Sequence, residues 1–292
     1  MESRYSDFYG PAQSDKEPPS IEYMNDWLLR CCELVDKYKP QLFWFDWWIE
    51  QPSMEPYRKT FAAYYYNRAD QWKKGVVINY KNNAFPENVA VYDIERGSSK
   101  ATRKYPWQTD TSVGKKSWGY ISDEENKTPN EIIDALIDIV SKNGNLLLNI
   151  GPKPDGTISQ EQINVLLGIG EWLKINGEGI YGTRPWVIAE EGPAVITEGS
   201  FGDTKPVVYT AEDIRFSSKD NHVYAFCLDV PKTRNIRIKS LALNLNPSRK
   251  ILGIELLGST EKIKWVQKAD KLVIDTPKFI PCQEALAFKI LL

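Results

Sequence analysis

Apolar positions along the first two thirds of the chain alternate between two rhythms. Met24, Trp27, Leu28, Cys31, Cys32 and Val35 recur at helical spacing, and the helix stops before Pro40. Gln41-Leu-Phe-Trp-Phe-Asp46 then reads as a short buried strand, rich in β-preferring residues and ending on a carboxylate. A second helix is predicted over about 54 to 71, with Phe61, Tyr64 and Tyr65 inward. Strands follow at Val76–Tyr80 and Val89–Ile94, and then a long aromatic-rich loop from Arg96 to about Lys127. Thr128-Pro-Asn-Glu131 and Ser159-Gln-Glu-Gln162 are capping boxes that open two more helices, closed by Asn143-Gly144 and Asn176-Gly177. Between them lies the apolar run Asn145–Ile150. Helices alternating with continuous apolar strands predict a parallel sheet covered on its faces.

After Trp186 the rhythm changes. Val207–Tyr209, His222–Cys227, Ile236–Ile238, Ile251–Leu257, Ile263–Val266, Leu272–Ile274 and Ala285–Leu291 are short, turn-bounded runs, several alternating in polarity. That pattern predicts an antiparallel β-sandwich. The expected division is a (β/α) barrel domain over 1–184 and a sandwich over 185–292, after an irregular lead-in of about 20 residues.

Charge and composition narrow the function. A net charge of -2 leaves no basic footprint for nucleic acid. No apolar stretch approaches the roughly 20 residues of a membrane span, and the N-terminal residues lack a signal-peptide core, so the compartment stays open. Cys31, Cys32, Cys227 and Cys282 have no metal-binding spacing. Cys31 and Cys32 diverge on a helix. Cys227 and Cys282 either pair or, as is commoner for such residues, are buried thiols. No metal or other cofactor is expected.

The chemistry is sought at strand ends. Asp46 leaves its strand at the rim of the sheet, where α/β barrels place catalytic groups, and Trp44, Trp47 and Trp48 surround it in sequence. Aromatic faces beside a carboxylate suit a sugar ring. Glu95, in Tyr92-Asp-Ile-Glu-Arg-Gly97, ends another strand. Two such carboxyls serve glycoside hydrolysis, one attacking as nucleophile and one shuttling the proton. Asp46 suits the first role and Glu95 the second, with Asp93 as runner-up. Solvated loop acids, or partners of a local Arg such as Arg96, are the plainer alternative.

Tyr38-Lys-Pro-Gln-Leu-Phe-Trp-Phe-Asp46 resembles the nucleophile segment of the α-L-fucosidases of glycoside hydrolase family 29. Asp93–Gly97, Pro106-Trp107 with Ser117–Tyr120, Gly144–Pro152 with Asp155-Gly156, Glu178–Gly182 and Arg184–Trp186 follow in the family's order. The resemblance implies a (β/α)8-like barrel and a C-terminal sandwich. It implies Asp46 as nucleophile, Glu95 as acid/base, and Trp118 packing against the sugar. Trp47 is a candidate for the mouth of the site, or a structural aromatic. Gln108 stands where many relatives have Glu, and no catalytic role is assigned to it. The implied substrate is a fucosylated glycan.

Two departures qualify this. About 45 residues precede Asp46, where the family has several strands carrying sugar-binding histidines, and the one histidine here, His222, is expected in a polar surface turn. The sequence thus resembles the second half of a fucosidase barrel plus its sandwich. The expectation is a truncated product, or a barrel completed by a partner chain or homo-oligomer. A catalytically silent carbohydrate-binding or scaffold protein derived from a fucosidase is the alternative function. Asn126-Lys-Thr128 matches a glycosylation acceptor only formally.

Overall fold

The computed structural model describes residues 17–204, 207–245 and 250–292; most of the expected lead-in lies outside them. Two compact units divide the chain between Asp93 and Ile94.

The first unit opens with helix α1 (Ile21–Tyr38), capped where the Ser20 hydroxyl accepts from the Tyr23 amide at 3.1 Å. Strand β1 (Leu42–Phe45), helix α2 (Glu55–Trp72), strand β2 (Val77–Tyr80) and strand β3 (Val91–Glu95) follow, and β3 carries the chain into the second unit. β1 pairs parallel with β2, and β2 with β3. One face of β1 meets an aromatic core: Phe43 and Phe45 pack on Phe61 of α2, with ring centroids 4.9 and 5.1 Å apart. Val35, Phe61, Tyr65 and Ile78 are fully buried there. The other face carries Trp44 and then Asp46.

The second unit begins with a strand inside the expected loop. β4 (Trp107–Ser112) pairs parallel with β5 (Gly144–Asn149). Its residues Thr109, Asp110, Thr111 and Ser112 are polar yet buried, so no apolar periodicity marks it. Trp107 is fully buried, its indole N–H donating to the Lys142 carbonyl at 2.9 Å. Helix α3 (Pro129–Ser141) starts on the expected capping box, with Thr128 and Glu131 each bonding the other's backbone. Helix α4 (Gln160–Asn176) starts at Ser159.

Pairing turns antiparallel at β6 (Arg184–Glu191). The remaining strands are β7 (Ile214–Lys219), β8 (His222–Cys227), β9 (Asn235–Ile238), β10 (Gly253–Leu256), β11 (Lys264–Gln267), β12 (Leu272–Asp275) and β13 (Leu286–Leu291). They form a five-stranded sheet, β10-β13-β8-β7-β6, and a three-stranded sheet, β11-β12-β9. β8 shows why its run is apolar without alternation. Val223, Ala225 and Cys227 face the core shared with β9 and β12, while Tyr224 and Phe226 face α3 and α4.

Two expectations need correction here. Val207–Tyr209 is no strand: Tyr209 is anchored by its ring, with the Arg215 guanidinium 5.3 Å from its centre, rather than by a ladder. His222 is not in the turn but opens β8, half-buried and paired with Lys219, because Asp220 and Asn221 alone make the hairpin. Of the two readings for Cys227 and Cys282, the commoner one holds: both are free. The Cys227 thiol is buried and donates to the Ala211 and Asp229 carbonyls, and burial pushes its pKa up to about 12. Among the described residues no helix is long and apolar enough to cross a membrane.

Candidate active site

In the first unit the chemistry gathers at the C-terminal ends of the parallel strands. The register aligns Trp44 with Asn79 and Asn79 with Val91. Carried two residues further, it puts Asp46, Lys81 and Asp93 in one row on the face away from the helices. Asp46 is exposed, and its Oδ1 accepts from the Trp47 amide at 2.9 Å, which fixes the carboxylate at the strand's end. Lys81 and Asp93 are buried and form an ion pair at 3.0 Å. The Lys81 ammonium also lies 5.7 Å from the centre of the Trp44 ring. Asp93 is therefore a structural partner of Lys81, not an acid facing solvent. Sequence reasoning missed Lys81; its signal was a lysine closing an apolar strand.

Trp47 and Trp48 are 41% and 56% exposed. Trp48 has φ 82°, a left-handed conformation that a bulky aromatic adopts only under constraint. Such strain concentrates at functional turns.

In the second unit, Glu95 ends β3 half-buried, and Arg96 follows it at φ 47°. The Arg96 guanidinium lies 5.0 Å over the Trp118 ring and donates to the Gly114 and Lys115 carbonyls at 3.0 and 3.1 Å. Asn149, at the end of β5, donates to the Trp118 carbonyl at 2.7 Å. Trp118 is thus pinned from two sides. The structure brings it beside the residue that follows Glu95, which spacing alone did not reveal.

A second cluster was missed altogether. Asp203 accepts from Lys127 Nζ at 2.7 Å and from Thr111 Oγ1 at 2.5 Å, and sits 3.3 Å from Arg96 Nε. Burial pushes the Asp203 carboxyl up, but these hydrogen bonds and positive charges outweigh it and hold the pKa below the usual range. Burial pushes the Lys127 ammonium down against the pull of Asp203.

Nearby, Asp134 lines a cavity of about 440 Å³ beside α3 and β4 and is only 5% exposed. Burial, then the Asp229 charge, raises its pKa to about 8, against Arg215 and the Asn130 hydrogen bond. A raised carboxyl pKa makes the native state hold a proton that the unfolded chain releases near pH 4. Stability from this group therefore falls as pH rises from about 4 to about 8. Asp134→Asn is expected to stabilise the protein increasingly over that range, by up to about 1.4 kcal/mol per pH unit, in urea unfolding. A pH-independent difference would contradict it.

Among the described residues no three His, Cys, Asp or Glu side chains converge on a metal position. Asp46 and Trp47 belong to the first unit, and Glu95 and Trp118 to the second.

Known proteins resemble the chain in sequence and fold. A family model described as Alpha-L-fucosidase matches residues 1–178, and one described as Alpha-L-fucosidase C-terminal domain matches 204–291. The tissue alpha-L-fucosidase of Rattus norvegicus is 32% identical over 88% of this chain and 53% of its own length. A solved alpha-L-fucosidase superposes with a TM-score of 0.74 at 27% identity, covering 94% of this chain and 57% of that one. An alpha-fucosidase of Thermotoga maritima in complex with fucose gives 0.69 at 25% identity, over 93% and 57%. The chain spans about half the length of the curated relatives it matches. It belongs to the alpha-L-fucosidase family.

Proposed function

We propose that the chain carries the two-carboxylate machinery of a retaining α-L-fucosidase that releases terminal fucose from glycans. The observation that carries the proposal is Asp46, an exposed carboxylate anchored by the Trp47 amide at the C-terminal end of a parallel strand. Asp46 attacks the anomeric carbon while Glu95 gives its proton to the departing glycosidic oxygen. A fucosyl ester of Asp46 results. Glu95, now ionised, takes a proton from water as the water attacks the same carbon, which frees Asp46. Trp118 packs against the apolar side of the sugar, and Trp47 lines the mouth. The fold on this reading is a (β/α)8-like barrel represented by its C-terminal strands, with the sandwich starting at 185.

Incubation of the purified chain with an aryl α-L-fucoside tests the proposal. Release of the phenol, with L-fucose first appearing as the α-anomer by proton NMR, is the expected result. Fucose binding without turnover would instead identify a carbohydrate-binding protein.

A further inference from the structure

We infer that Asp203, on the segment leading from β6 toward β7, is a positioning residue that holds Glu95 and Trp118 in their working places. The inference rests on the roles proposed above for those two residues.

The segment around Asp203 behaves as a strap laid along the end of β3. Phe201 N–H donates to the Glu95 carbonyl at 2.8 Å, and Asp203 N–H to the Arg96 carbonyl at 3.0 Å. Ser98 and Gly199 exchange backbone hydrogen bonds as an antiparallel bridge. The approach is so close that a Cβ on Gly97 would meet the Gly199 carbonyl oxygen at 2.0 Å, so only glycine allows it.

The Asp203 carboxylate locks the strap. One oxygen faces Arg96 Nε, and the other takes Lys127 and Thr111. Arg96 in turn covers the Trp118 ring. One carboxylate thereby ties the backbone flanking Glu95, β4 through Thr111, and the Trp118 loop. Charged-group hydrogen bonds of this kind are short and directional, which suits holding a geometry. The other charges nearby are already engaged: Lys115 pairs with Glu131 at 2.9 Å. Asp203 has no part in the chemical steps proposed above. It acts through Arg96 and the strap.

The test uses the full chain with Asp203→Ala, Asp203→Asn and Asp203→Glu. The readouts are the ¹³C titration of the Glu95 carboxyl, assigned with Glu95→Gln, and the Trp118 indole N–H resonance, assigned with Trp118→Phe. Asp203→Ala is expected to displace both, and to lower kcat for an aryl fucoside roughly tenfold or more with a smaller change in KM. Asp203→Glu is expected to restore both partly. Should Asp203→Ala not fold, Asp203→Asn keeps the strap's backbone bonds and removes only the charge. An unchanged Glu95 titration and Trp118 resonance in a folded variant would overturn the inference. If the wild-type chain shows no turnover but both resonances still depend on Asp203, the positioning stands and the catalytic reading fails.

Discussion

Asp46→Gly is expected to lower kcat for an aryl α-L-fucoside by at least about 10³-fold, because it removes the group proposed to form the covalent intermediate. The loss should be recovered in part by azide, which fits the space left by the carboxylate and attacks the same carbon. The product would then be a fucosyl azide of inverted configuration, since a single displacement replaces two. Stability should hardly change. Asp46 is exposed, and the Trp47 amide is the partner seen at its Oδ1. Glu95→Gln should differ in kind: it should slow substrates with poor leaving groups most, because those need the proton. A variant at Asp46 that keeps near wild-type kcat would remove the proposed nucleophile.

The largest effect on stability is expected at Asp138. Its carboxylate is buried on α3 and takes Lys142 at 2.9 Å and Arg215 of β7 at 2.5 Å. Glu190 of β6 completes the group, 3.0 Å from Lys142 and 3.3 Å from Arg215. Two acids and two bases thus join α3 to the five-stranded sheet. The Ser98 hydroxyl adds a bond to Asp138 at 3.2 Å. Asp138→Ala would remove the buried carboxylate shared by both cations and leave the half-buried Glu190 as their ion-pair partner among the described residues, at a cost of about 3–5 kcal/mol. A fall in Tm of about 10 °C should accompany it. A loss below about 1 kcal/mol in urea unfolding would mean that water reaches the cluster and replaces the carboxylate.

How much of this was legible in the sequence depended on where each residue finds its partners. Helix α1 could be placed from the spacing of Met24 to Val35, and α3 and α4 from the caps at Thr128 and Ser159, all local signals. Asp46 was legible because Phe43 and Phe45 mark the buried face, and the strand's end follows by counting. β4 was not legible. Its buried polar residues are satisfied by distant chain, as when Thr109 donates to the Ile94 carbonyl and Thr111 to Asp203. β7 was missed for the same reason, since Arg215 sits inside it on Asp138, 77 residues away. Lys81 and Asp203 look like surface charges until the fold supplies Asp93 and Lys127. Spacing can find a carboxylate at a strand end, but not the opposite charge that the topology brings to it.

The central claim is that Asp46 forms a covalent bond to the sugar, and trapping that bond tests it most directly. A 2-deoxy-2-fluoro-fucosyl fluoride keeps a good leaving group for the first step. The fluorine at C2 destabilises the cationic transition states of both steps, so the ester persists. Intact-mass measurement of the treated chain, followed by peptide mapping, should show one fluorofucosyl group on the peptide containing Asp46, absent in Asp46→Gly. An adduct on another residue, or none in a chain that hydrolyses aryl fucosides, would contradict the account.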